Sequence, residues 1–377
     1  MLTTLRTGLT NWIATKRGDA EHDAADGARW RRFGKALFGT FIGGLAACAA
    51  FILIVDPYQV VPFSPPMPRP NIDTSQRHFY PAIIRHGNYD SIIVGNSMIR
   101  LFDPDRLDKT FGSRLANVAM NAATPWEQMQ MADLFLRVKG PPKVMIVGLD
   151  HWWCDERADQ PDRKLTIRAF PDWMFDDNPW NDFLYLLNGK TIETAARIVM
   201  TNLGHGRIRL QPNGFSVYTP PDDTYDLAAA QQRIWGDRPH VITPVTPPVV
   251  LTEAERATLR FPAQDWLDAI LNREGDRTRT VLIWLPTHIS TLPAPGSRDA
   301  AVEAACKADM DAIARRHQAT VVDWRIDSPL NRNDATFWDP YHHRLPVAQR
   351  IEDDLAKALA GKDAADDGAW TVRVRGR

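Results

Sequence analysis

The sequence predicts an α/β protein, a parallel sheet covered by helices on both faces, behind one N-terminal transmembrane helix. Four short aliphatic runs, Ser91–Val94, Lys143–Leu149, Thr280–Leu285 and Ala319–Trp324, read as strands. They are continuous rather than alternating, which is the pattern of strands buried on both faces. Between the last two, Arg298–His317 carries apolar residues at helical spacing. Upstream of all four, Ala36–Val55 holds 20 residues without a charge. As a helix it is about 30 Å long, enough to cross a hydrocarbon core.

Composition sets outer bounds. The 377 residues include 45 Lys+Arg and 46 Asp+Glu, a net charge of −1, with 44% hydrophobic residues. Such a chain is neither disordered nor a polytopic transporter. Its balanced charge gives no field to gather nucleic acid, so no nucleic-acid partner is expected. The three cysteines, Cys48, Cys154 and Cys306, are too few for a disulfide scaffold and fit no zinc spacing, and no metal or cofactor is expected. Cys154 and Cys306 can pair outside the cytoplasm or stay apart; spacing does not decide. The 28 Pro and 13 Trp predict long ordered connections and either an aromatic core or stacking surfaces.

Residues 1–35 are polar and mixed in charge and read as a flexible cytoplasmic tail. Trp30, Arg31, Arg32 and Lys35 precede the span at 36–55, so the N-terminal flank is cytoplasmic and the rest lies outside. The run is too long and starts too late for an ordinary cleaved signal. Leu45-Ala46-Ala47-Cys48 resembles a lipoprotein signal, but the apolar run continues past Cys48. Gly39-x-x-x-Gly43 permits close approach of a second helix, as small residues in many spans do.

At 56–75, Pro62, Pro65, Pro66, Pro68 and Pro70 predict a stiff stalk that lifts the next domain off the membrane. That domain, 76–360, holds the strands. An interval at about 155–262, rich in Pro, Trp and Asp, reads as an insertion or cap on one edge of the sheet. Residues 361–377 read as a poorly anchored tail.

In an open parallel sheet, ligands bind beyond the carboxyl ends of the strands. Gly95-Asn96-Ser97 stands there after the first strand, with Ser97 either a helix N-cap or an exposed nucleophile. Near the C-terminus, Asp339-Pro340-Tyr341-His342 puts a carboxylate and an imidazole on one turn. A carboxylate-oriented base is what a serine hydroxyl requires for nucleophilic attack. His343 beside His342 also permits a casual histidine pair. Arg100 is a candidate for binding a substrate carboxylate or phosphate, or for a surface ion pair. Trp152, Trp153 and Trp338 adjoin these motifs and either stack on sugar rings or pack. His288, after the third strand, either lines the cleft or caps the strand.

Strand-Gly95-Asn96-Ser97 followed by Asp339-x-x-His342 resembles the SGNH/GDSL hydrolase superfamily. More narrowly it resembles the membrane-anchored envelope branch of alginate O-acetylation and teichoic-acid D-alanylation proteins. Asp56-Pro57-Tyr58, Asn117–Pro125 and Val147-Gly148-Leu149-Asp150 fit that branch. The resemblance implies an SGNH-like, flavodoxin-like sheet with Ser97 as nucleophile, His342 as base and Asp339 as its orienter. It implies acyl transfer or ester hydrolysis on a cell-envelope polysaccharide, with acetyl as the expected group. A cell-envelope glycan or acyl-donor protein would be the partner, at a bacterial inner membrane with the main domain periplasmic. The oxyanion blocks depart from the family: Asn121-Ala122-Ala123 and Gly148-Leu149-Asp150 stand where a glycine and an asparagine are usual. Asp150 brings a negative charge unless it is protonated or points elsewhere, and Asn121 is the candidate replacement donor. A catalytically weak accessory that binds glycan or export partners, and a lipid-active esterase, are the competing readings.

Overall fold

The computed structural model describes residues 2–377 except 73, 74, 179, 207 and 209, and side chains from residue 26 onward. The chain begins with helix α1, Leu2–Val55, and continues α2 (Gln76–His86), β1 (Ser91–Val94), α3 (Pro104–Phe111), β2 (Leu115–Asn117), α4 (Pro125–Lys139) and β3 (Val144–Leu149). An irregular stretch follows with α5 (Pro161–Lys164), α6 (Asp182–Tyr185), α7 (Gly189–Asn202), α8 (Leu227–Trp235) and α9 (Glu253–Thr258). Then come α10 (Pro262–Glu274), β4 (Arg279–Trp284), α11 (Arg298–Arg316), β5 (Thr320–Asp323), α12 (Pro329–Arg332), α13 (Leu345–Leu359) and β6 (Thr371–Val374).

The strands form one sheet in the order β2-β1-β3-β4-β5-β6, parallel except for β6. Apolar side chains of α2, α4, α10 and α11 pack on one face, and those of α3, α12 and α13 on the other. Two covered faces explain the uninterrupted apolar runs of β1 and β3, which are buried throughout. The order reverses between β1 and β3. This switch point opens a crevice at the carboxyl ends of those two strands. Gly95 and Gly148 face each other there, with a Cβ on Gly95 falling 2.5 Å from Ile99 Cγ2 and 3.5 Å from Gly148 Cα. Glycine lets the two backbones and the Ser97 turn come together.

Four expectations need correction. The N-terminal segment is not a loose tail, because α1 runs unbroken from Leu2. Once its apolar part is helical, each further residue adds one hydrogen bond, and no proline occurs before Pro57 to stop it.

The proline segment is not a stalk. Asp56 turns the chain back at φ 45°. Its carboxylate accepts from Val60 N (3.0 Å), Val61 N (3.1 Å) and Ser64 Oγ (2.9 Å). Tyr58, Val60, Val61 and Ile72 are buried with Ile52 and Val55 in the main core, and Arg69 Nε donates to Val55 O at 2.7 Å. Apolar residues beside the prolines bind the segment to the domain, and the last turn of α1 packs into the same core.

The insertion is not confined to one edge. Asn117 N of β2 donates to Asn213 O at 2.8 Å, covering that edge. Elsewhere α7 packs along α1, and α8 packs on the turn at Asp334–Thr336.

The C-terminus is also anchored: β6 closes the sheet antiparallel to β5, Trp370 is buried, and Arg373 Nη2 pairs with Asp311 Oδ2 at 2.9 Å. A buried aromatic of this size contributes about 1.5–3 kcal/mol, enough to fix a short edge strand.

Candidate active site

Ser97 opens a single 3₁₀ turn just past β1. Asn96 is the cap: its Oδ1 accepts from Met98 N at 3.0 Å. Ser97 therefore does not spend its own hydroxyl on capping. Its Oγ lies 2.8 Å from His342 Nε2, although 245 residues separate them.

The histidine sits on the turn after Asp339. His342 Nδ1 is 2.7 Å from Asp339 Oδ2. Asp339 Oδ1 accepts from Tyr341 N at 2.9 Å and His342 N at 3.0 Å. Partial burial works to raise the Asp339 carboxyl, but the hydrogen bonds from the His342 ring and these two amides prevail and hold it below the ordinary range. An ionised Asp339 accepting at Nδ1 fixes the tautomer, leaving the Nε2 lone pair toward Ser97. The three residues form a continuous nucleophile–base–carboxylate relay.

The relay opens on a cleft of about 290 Å³ lined by Ser97, Met98, Ala122, Ala123, Trp152 and Tyr341 together with Asn96, His151 and His342. Among the described residues, the backbone N–H groups of Ser97 and Ala122 donate to no other protein group. Ala122 has φ 50°, a left-handed conformation costing about 1 kcal/mol for a residue with a Cβ. It lies within Asn121-Ala122-Ala123, the block where the family resemblance expects a glycine. Both residues border the cleft.

The proposed Asn121 donor is a correction. Its N–H donates to Gln76 Oε1 (2.7 Å), its carbonyl accepts from Arg77 Nη1 (3.2 Å), and its Oδ1 accepts from Arg100 Nη1 (2.7 Å). Asn121 lines the neighbouring cavity instead of the Ser97 cleft. Arg100 is a second correction: it is 2% exposed and stacks over Tyr218, with Cζ 4.8 Å from the ring centroid. Buried this way, it positions rather than binds, because Tyr218 Oη donates to Ser97 O at 2.7 Å.

Asp150 points elsewhere, as one of the sequence alternatives had it. Its Oδ2 accepts from Asn96 Nδ2, and its Oδ1 accepts from Trp152 N at 2.8 Å. Complete burial pushes its carboxyl up. Asp150 thus locks Asn96 and starts the Trp152 turn, but it supplies no amide donor of its own. The Cys154–Cys306 disulfide, with Cα atoms 5.6 Å apart, ties the end of that turn to α11.

A second polar group holds the base. His288 is buried; its Nδ1 accepts from Ser290 N at 3.1 Å and its Nε2 lies 2.9 Å from Asp334 Oδ1. It is therefore a cap rather than part of the cleft. Asp334 also accepts from Trp235 Nε1 (3.0 Å) and Gln231 Nε2 (2.7 Å) of α8, while His288 N donates to Pro340 O at 2.9 Å. Through these bonds the insertion clamps the loop carrying Asp339 and His342.

Of the tryptophans, Trp152 lines the cleft, whereas Trp153 and Trp338 are buried in packing. His343 is buried away from the cleft, where burial first and the His342 charge second lower its ring to about 3. Tyr218, Tyr341, His151 and Ala122 belong to the site without having been singled out by sequence. Tyr341 and His151 had one available signal, adjacency to His342 and Asp150. Tyr218 had none.

No protein-family model matches this chain, and no curated protein matches it.

Proposed function

We propose that this chain is a membrane-anchored serine O-acyltransferase or esterase of SGNH-like fold, acting on short acyl esters of a cell-envelope glycan. The relay Ser97–His342–Asp339 carries this reading, since residues distant in sequence meet at hydrogen-bond distance at the switch point. Ser97 Oγ attacks the ester carbonyl while His342 Nε2 takes its proton. The tetrahedral oxyanion is stabilised by the Ser97 and Ala122 amides. On collapse, His342 returns the proton to the departing alcohol, leaving acyl-Ser97. A sugar hydroxyl or water, deprotonated by His342, then takes the acyl group and Ser97 regains its proton.

The cleft supports the substrate class. About 290 Å³ is at the bottom of the range for small-ligand sites, room for one ring and a short acyl group. His151 and Tyr341 stack at 5.9 Å beside Trp152, an aromatic rim suited to a sugar face. The anchor helix and the disulfide both suit an extracytoplasmic domain on a bacterial inner membrane. One observation favours a second reading, a weak or inactive glycan-binding accessory: Asn96 Nδ2 is bound to Asp150 Oδ2 and is not free to donate to an oxyanion.

Full-length protein in neutral detergent, offered acetyl and decanoyl esters of the same alcohol, is expected to cleave the acetyl ester at least about tenfold faster in kcat/KM. A preference for decanoyl points to a lipid esterase and contradicts the glycan reading. Turnover of neither ester supports the accessory.

A further inference from the structure

We propose that a second cavity, between the N-terminal turns of α2 and α7 and the segment that follows α1, binds the phosphate of a lipid headgroup in the membrane that holds α1. This rests on the membrane reading of α1 and goes beyond the acyl chemistry at Ser97. The cavity has a volume of about 530 Å³, and Asn121 in its wall precedes Ala122 of the reaction cleft in sequence. Arg77, His78, Arg168 and Lys190 line it, and no Asp or Glu among the described residues does.

Among the described residues, the charges that line it do not cancel. Arg77 Nη2 pairs with buried Glu127 at 2.6 Å, and Lys190 pairs with Glu193 at 2.8 Å. Arg168 has no acidic partner among the described residues. Among the described residues it is the cavity's guanidinium without an acidic partner, and the first turns of α2 and α7 face the same space. A phosphate is the ligand such donors complete, because guanidinium offers it paired N–H groups in matching geometry.

The location selects a lipid as its source. Ile52 and Val55, at the end of the apolar helix, are 2% and 3% exposed inside the domain core, and α7 packs along α1. The domain therefore grips the last turns of the helix and sits at the level where it leaves the bilayer. Tyr58, three residues past Val55, lines the cavity. Next to lining residues Tyr185 and Asn188, Leu184 and Leu187 are 60% and 49% exposed on α6 and the connection to α7. Isolated exposed apolar residues are ordinary; these two adjoin Tyr185 and Asn188 of the cavity wall, one connection away from α7, which packs on the anchor. A phosphate held by Arg168 leaves the acyl chains of a lipid against them.

The test uses the full chain in a neutral maltoside detergent, titrated with dihexanoyl phosphatidylglycerol, dihexanoylglycerol or inorganic phosphate and read by native mass spectrometry and calorimetry. Phosphatidylglycerol is expected to bind at least about tenfold more tightly than either other probe. Arg168→Gln combined with Lys190→Gln weakens it at least about tenfold, the scale of one lost charge-assisted hydrogen bond. Both residues are exposed, and an unchanged melting temperature verifies folding. Arg114→Gln, at an exposed cation elsewhere, and Ser97→Ala leave the binding as in wild type, which separates this site from the acyl chemistry. Equal binding by the double variant overturns the proposal. Phosphate binding as tightly as the phospholipid reduces the site to a free-anion site, and equal binding of dihexanoylglycerol reduces it to an apolar surface; either result overturns the lipid assignment. A chain that fractionates away from membranes removes the premise.

Discussion

Asp339→Asn lowers the turnover of ester cleavage by about four orders of magnitude, or roughly 5 kcal/mol in the barrier. The carboxylate accepts from His342 Nδ1 through Oδ2 and from two backbone amides through Oδ1. Asparagine keeps the shape, and its carbonyl can still serve those amides. Its NH₂ then faces Nδ1 and forces that nitrogen to accept. The proton moves to Nε2, where Ser97 needs a lone pair. Steady-state kinetics checks this beside a melting curve. Because Asp339 is on a partly exposed loop, the variant is expected to melt within a few degrees of wild type, a shift of about 1 kcal/mol. A loss below about tenfold would mean that His342 is not oriented by this carboxylate.

Removing the Cys154–Cys306 disulfide in a double Cys→Ala variant costs about 4–5 kcal/mol of unfolding free energy. The bond closes a loop with a sequence separation of 152, and loops of that order gain most from a cross-link through restriction of the unfolded chain. Denaturant midpoints of the variant and of wild type, with and without reductant, measure it. A shift under about 1 kcal/mol would show that the unfolded chain is already confined there. Structurally, the bond joins α11 to the turn that starts at Asp150, so its loss also loosens Trp152 on the cleft wall.

The parts of the fold legible in the sequence are those whose physics is local. β1, β3, β4 and β5 are buried on both faces and announce themselves as aliphatic runs. β2 has only Leu115–Asn117, too short to show a period, and its edge is covered by Asn213 from the insertion. β6 reads Thr-Val-Arg-Val, and what fixes it is the long-range pairing of Arg373 with Asp311 and the burial of Trp370. The proline segment misled because proline stiffness is local, while Tyr58, Val60 and Val61 decide its course by burying themselves.

The same division runs through the site. Asp339 and His342 share one turn, so their pairing was legible from spacing. That Ser97 reaches them follows only from the strand order, which places the carboxyl end of β1 at the switch point. Asn121 and Arg100 were attractive for their chemistry. Their direction is set by Gln76, Arg77 and Tyr218, contacts from elements that sequence does not bring together.

The most direct measurement is the reaction of full-length protein with a fluorophosphonate, followed by intact-mass and peptide mass spectrometry. A relay with Ser97 as nucleophile predicts one adduct, on Ser97, absent in Ser97→Ala and formed at least about a hundredfold more slowly in Asp339→Asn. Folded wild-type protein that stays unlabelled while Ser97 is open to the cleft would contradict it.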